Sequence, residues 1–184
     1  MGHRRGPITA RLELRAMTLE DADAFFRLNS HPDVMRYTGE PPLPSVEAAR
    51  EAIAGYRDWD DPGYGRWACV LRDEGAMIGF CGLKFLPELG ETDIGYRLHP
   101  DYWGRGLATE AARATLHYGF ETLDLEEIVA LVLPGNAASV RVLQKLRMER
   151  GEDITYFDER VQRWSITRGS AKVEDAGGFN GIDN

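Results

Sequence analysis

The stretch Tyr102-Trp103-Gly104-Arg105-Gly106-Leu107-Ala108-Thr109-Glu110-Ala111 places two glycines between a strand-like segment and a helix that opens with small residues. Glycine lets a backbone pass close to a ligand and take dihedrals that other residues avoid. A helix start adds unpaired N–H groups and the positive end of a dipole, so the pair reads as a cradle for an anion, above all a phosphate. A Walker-type loop would carry Lys and then Ser or Thr after its last glycine. Leu107-Ala108 stand there instead, which argues against a nucleotide triphosphatase. A dinucleotide fingerprint would need Gly or Ala where Thr109 stands, and a strand running straight into the loop. His99-Pro100-Asp101 separates the two. The plainer alternative is a helix entry whose glycines serve tight packing.

The flanks favour the cradle. Upstream, Thr92-Asp93-Ile94-Gly95-Tyr96-Arg97-Leu98 reads as a strand with an internal glycine, where a bulge or a close ligand approach is expected. Downstream, Ala108, Ala111, Ala112, Thr115, Leu116, Gly119, Phe120 and Leu123 recur at helical spacing and predict one buried stripe. Ile128-Val129-Ala130-Leu131-Val132-Leu133 is a continuous apolar run, as in a strand covered on both faces. Pro134-Gly135 breaks the chain, and Asn136-Ala137-Ala138-Ser139 opens a second helix through Lys145.

This order of motifs resembles the GNAT acetyltransferase superfamily, and within it the branch of RimJ/RimL-type ribosomal-protein N-terminal acetyltransferases. The matching residues are Asp93-Ile94-Gly95-Tyr96, the 102–111 stretch, and Asn136-x-x-Ser139-x-x-Val142-Leu143-x-Lys145-Leu146. Leu14-Arg15, Thr18-Leu19-Glu20-Asp21-Ala22 and His31-Pro32-Asp33-Val34-Met35 extend the likeness toward the N-terminus, so it covers about residues 10–168. It implies an α/β (α+β) GNAT fold: a mixed, mostly antiparallel, six- to seven-stranded sheet flanked by helices, its strands splayed at an acyl-CoA site. It also implies acetyl-CoA as cosubstrate and a primary amine as acceptor, either a protein N-terminus or a small molecule. The implied cofactor-binding residues are Ile94, Gly95, Tyr96, Trp103, Gly104, Arg105, Gly106, Leu107, Ala108, Thr109, Asn136 and Ser139.

The catalytic groups are less sharply marked. Many members of the superfamily place a tyrosine acid four residues after the Ser139 position, and Leu143 stands there. Ser139 or a water is then the candidate general acid. Glu91 and Asp93 alternate onto one strand face and are the candidate bases. Asn136 suits either an N-cap or a contact with the cofactor arm. Arg147 occupies a position where the family usually has the glycine that follows a helix. No Cys or Ser is paired with a His in a way that suggests a covalent acyl-enzyme, so direct transfer in a ternary complex is expected. A non-catalytic acyl-CoA sensor using the same cradle is the reading from a different class.

The whole chain sets the remaining bounds. Its 184 residues suit one domain, expected over residues 1–168, with a Gly-, Asp- and Asn-rich tail over 169–184 expected to be disordered. No apolar run approaches the length of a membrane span, and the N-terminus lacks the apolar region of a secretory signal, so a cytoplasmic location is expected. The four histidines lack metal-ligand spacing, and Cys69 and Cys81 read as reduced thiols on adjacent strands of one hairpin, so no metal is expected. A net charge of −8 argues against nucleic acid and weakly favours cationic amines; no membrane partner is expected, and a homodimer is compatible with the reading. Strands are expected over 11–17, 66–71, 77–86, 91–98, 148–156 and 160–167, the last two turning at Asp158-Glu159. Thr18 with Asp21 should cap a first helix to about Ser30, a short helix should follow at 33–37, and Ser45 should cap another to about Tyr56. The polar 58–65 loop, with Trp59 and Tyr64, and the two helices before it correspond to one wall of the family's acceptor site.

Overall fold

The computed structural model describes residues 2–175. Eight strands form one sheet: β1 (Arg5–Ile8), β2 (Leu12–Arg15), β3 (Arg66–Leu71), β4 (Met77–Leu86), β5 (Glu91–Leu98), β6 (Glu127–Val132), β7 (Glu149–Tyr156) and β8 (Glu159–Thr167). Their spatial order is β1-β2-β3-β4-β5-β6-β8-β7. All neighbours run antiparallel except β5 and β6, which are parallel and in register at the single pair Asp93↔Val129.

Helices cover both faces, which is why β3 and β4 read as nearly unbroken buried runs rather than alternating ones. On one face lie α4 (Leu107–Glu121) and α5 (Ala137–Lys145); on the other lie α1 (Ala22–Ser30), α2 (Pro32–Met35) and α3 (Val46–Ala54). Adjacent residues of β4 show the division: the Cys81 thiol meets Thr115 of α4 at 3.3 Å, while Phe80 packs with Leu28 and Val34. The main core joins the α4 face of the sheet through Trp67, Leu83, Ile94, Leu107, Leu116 and Ile128, all nearly or fully buried.

Three features depart from the sequence reading. The sheet has eight strands rather than six or seven, because Arg5-Gly6-Pro7-Ile8 adds an edge strand. Its Gly and Pro conceal any alternation, and an edge is where a strand tolerates Pro. The first helix starts at Ala22, after a 3₁₀ turn over Leu19–Asp21 that carries the Thr18/Asp21 capping box. Residues after Thr167 do not leave the fold at once: α6 (Arg168–Asp175) follows, Ala171 packs on the core, and Ser170 Oγ meets Thr167 Oγ1 at 3.0 Å. The rest of the 169–184 segment, residues 176–184, lies outside the described residues.

The last hairpin turns at Phe157 and Asp158, both at positive φ, one residue earlier than expected. Cys69 and Cys81 are buried free thiols, placed opposite Gly79 and Trp67 rather than each other. Burial pushes the Cys81 thiol up to about 12. Among the described residues, no helix is long and apolar enough to cross a membrane, and no cluster of three or more His, Cys, Asp or Glu is placed to hold a metal.

Candidate active site

After β5, a 3₁₀ turn over Pro100–Tyr102 leads into the 103–106 loop, which enters α4 with no side-chain cap; Gly106 occupies the cap position at φ +76°. Gly104 sits at φ +71°, with open space where a side chain would stand. Both conformations favour glycine, and the first-turn amides of Leu107, Ala108 and Thr109 have no intrahelical acceptor. The helix dipole adds partial positive charge at the same point.

The loop is held from outside. Trp103 Nε1 donates to the Leu98 carbonyl at 2.7 Å, and the Arg105 guanidinium lies 5.6 Å from the centroid of the Tyr102 ring. Arg11 Nη1 donates to the Arg105 carbonyl at 2.9 Å, and Arg11 also pairs with Glu110 at 2.6 Å. Glu110 accepts from Thr9 Oγ1 at 2.7 Å, so the β1–β2 turn is bolted to the start of α4. An uncapped, glycine-lined, externally braced helix start fits a diphosphate.

Beside this loop, β5 and β6 part after their one paired position. The Leu131 amide, which a continued ladder would pair with backbone, donates instead to Asp93 Oδ1 at 3.1 Å. Asp93 Oδ2 lies 3.5 Å from Arg66 Nη2. Burial pushes the Asp93 carboxyl up to about 6, opposed by Arg66 and by the Leu131 amide. Glu91 does share the strand face with Asp93, as alternation predicts, but Arg163 holds its carboxylate at 3.1 and 3.2 Å from Nε.

On the other face of the notch, Tyr96 of β5 reaches Ser139 of α5, with the hydroxyls 2.9 Å apart. Burial raises the Tyr96 phenol above its ordinary value, against the hydrogen bond to Ser139, so it stays protonated. Leu143 is fully buried in the core. Asn136 caps α5, its Oδ1 accepting from the Ser139 amide at 3.2 Å.

A cavity of about 530 Å³ opens on the face of the sheet that carries α1 and α3. Tyr56, Trp59, Phe25 and Ile53 line it, together with Arg66 and Arg97. The helices and loop expected to wall the acceptor site therefore do enclose a space.

Residues 11–149 match the model of the acetyltransferase (GNAT) domain. The chain belongs to the GNAT acetyltransferase family. It is 36% identical over 144 residues to the uncharacterised N-acetyltransferase p20 of Bacillus licheniformis, covering 77% of this chain and 81% of that protein. A GNAT-family acetyltransferase from Bacillus anthracis superposes with a TM-score of 0.73 at 29% identity, over 87% of this chain and 96% of that one. The fold is also that of the spermidine N-acetyltransferase from Vibrio cholerae crystallised with CoA and spermine, with a TM-score of 0.74 at 20% identity, over 89% and 99% of the two chains. As a GNAT protein the chain is an N-acetyltransferase, and its eight-stranded sheet is the family's mixed α/β architecture.

Several residues of this GNAT site escape motif reading. Arg66 belongs to no motif, yet its side chain crosses to β5, where a side chain at Gly95 would meet its Nη2 at 2.6 Å. Arg97, two residues beyond Gly95, bonds Asn29 Oδ1 and Glu40 at 2.8 Å each. The one available signal for Arg66 is a charge at the head of an otherwise apolar strand. Arg11 offers none, because its partners are about a hundred residues away in sequence.

Proposed function

We propose that this GNAT chain transfers the acetyl group of acetyl-CoA directly to a primary amine in a ternary complex. The parting of β5 from β6 at Asp93 carries the reading. It leaves a slot whose walls end at the uncapped start of α4, with the Tyr96–Ser139 hydroxyl pair on one face and the cavity of about 530 Å³ on the other.

The amides of residues 104–109 would hold the diphosphate, and the unpaired edges of β5 and β6 would bind the pantetheine arm. A β5 amide near Gly95 would stabilise the oxyanion as the amine nitrogen bonds to the acyl carbon. Asp93 would accept the ammonium proton, directly or through one water. The Tyr96–Ser139 pair would return a proton to sulfur as the C–S bond breaks. Glu91, already held by Arg163, serves better as a brace than as a base. The motif likeness to the RimJ/RimL-type branch keeps a peptide N-terminus among the acceptors.

Incubation with acetyl-CoA and a panel of amines and peptides, following free thiol, tests the reading. Amine-dependent thiol release is expected. Tight acetyl-CoA binding with no release on any acceptor would favour the acyl-CoA sensor.

A further inference from the structure

The acceptor-side cavity has the opposite charge from the chain. The molecule carries −8, yet Arg4, Arg57, Arg66 and Arg97 line the cavity with Glu40 as the one lining carboxylate. Arg66 and Arg97 form its floor. Their guanidinium carbons lie 5.5 and 5.3 Å from the centroid of the same Phe80 ring. Burial lowers the Arg97 pKa, opposed by Glu40, and Arg66 adds to the lowering.

The pairing of Arg66 is incomplete. Arg66 reaches Asp93 only at 3.5 Å, and its buried Nε has no hydrogen-bond partner. A buried donor without a partner is destabilising. Arg97 is balanced by Glu40, whose side chain is 57% exposed and sits in the segment between α2 and α3. At the rim, Arg4 and Arg57 share Asp60 at 3.6 and 3.8 Å, contacts that are mostly solvated. Asp58, the neighbouring acid, bears on Tyr56 and does not line the cavity.

We propose that the acceptor is an amine carrying an oxyanion, bound between Arg66 and Arg97 over Phe80. The inference rests on the transferase reading above and narrows its substrate class. A planar guanidinium takes a carboxylate or phosphate by paired N–H bonds, and Arg66 and Arg97 both line the cavity. Met17, Phe25, Met35, Leu43 and Ile53 add an apolar wall, suited to the body of a hydrophobic amino acid. A polyamine such as the spermine of the Vibrio cholerae complex would meet four cations here.

The test pairs each anion with its neutral analogue. Thiol release from acetyl-CoA is measured with leucine, methionine and phenylalanine against their α-amides, with 2-aminoethyl phosphate against ethanolamine, and with spermidine. At least one anion should exceed its analogue in kcat/KM by about tenfold, the order of a charge-assisted bond, and which pair responds separates carboxylate from phosphate. Amides or spermidine equal to or better than every anion would overturn the inference while leaving the transferase reading intact. Calorimetry with the N-acetylated amino acids and their amides asks the same question without turnover: equal or undetectable binding of the two sets counts against it. Glu40→Gln, at an exposed position, should tighten binding of the N-acetyl acid about fivefold, and Arg97→Gln should abolish it. Unchanged or weaker binding in Glu40→Gln would also sink the inference.

Discussion

Asp93 shapes the gap between β5 and β6 and is the base proposed above. Its Oδ1 takes the Leu131 amide that a parallel ladder would have used, so the carboxylate is the wedge at the mouth of the slot. Burial raises it from 3.8 to about 6, so it is ionised at neutral pH and can still accept a proton. As the base, it should give kcat/KM an acid limb with a midpoint near pH 6, falling as pH drops. Asp93→Asn should remove that limb and lower turnover about 100-fold, the usual scale for a lost general base. An unchanged pH–rate profile in the variant would leave Asp93 only its structural part. Stability carries the opposite sign. A carboxyl whose folded pKa exceeds its unfolded value binds protons more tightly when folded, so this contribution is present below about pH 4 and lost as pH rises toward 6. Arg147 makes a second residue-scale case. The Met148 amide bonds Leu143 and the Arg147 amide bonds Gln144, both at 3.0 Å, which closes α5 with the left-handed residue the sequence assigned to Arg147. Its φ is +56°. Arg147→Gly should therefore stabilise the fold by about 0.5–1 kcal/mol, read from denaturant midpoints.

At the scale of elements, the proposed cradle is a helix start braced by its neighbours. Gly106→Trp would place a side chain at φ +76° beside Arg11, where only the Nη2 atom of Arg11 comes within 4 Å. The fold should lose about 1–2 kcal/mol from left-handed strain, while acetyl-CoA affinity by calorimetry should fall by about tenfold or more. Unchanged affinity would remove the cradle assignment. This element was legible because its signal is local: glycine spacing, a Pro-marked break and a helical stripe all lie within thirty residues. The β3–β4–β5 meander was legible for the same reason, with its turns at short polar gaps. What stayed hidden depends on contacts across the chain. Arg66 and Gly95 stand in one cross-strand row through Gly82, so the glycine that motif reading assigned to a ligand also makes room for an arginine. The hydroxyl partner of Ser139 likewise comes from β5 and not from the Leu143 position one helical turn along α5, which no helix-periodicity argument could reveal.

At the scale of the whole molecule, the N-terminal residues connect the core, the cavity and the cradle. β1 adds an edge to the sheet, and the His3 carbonyl accepts from Trp67 Nε1 at 2.9 Å. Trp67 is fully buried, and a side chain at Gly6 would meet its indole at 2.7 Å, so β1 is laid flat against that ring. From the same segment Arg4 lines the cavity, and Thr9 and Arg11 brace α4. The segment thus covers a large aromatic while fixing one rim of the site. Deleting residues 2–8 should uncover much of the Trp67 indole and leave its N–H without the His3 acceptor. With about 100–150 Å² of aromatic surface exposed at about 25 cal/mol/Å², and one lost buried bond, the cost should be about 3–5 kcal/mol. For a domain of this size that is a fall in Tm of about 10 °C, measurable by calorimetry. Because Arg11 stays in place, acetyl-CoA affinity at low temperature should fall less than acceptor affinity, which loses Arg4. A truncated chain that melts with the full-length protein would show that β1 is a covering strand with no share in the core.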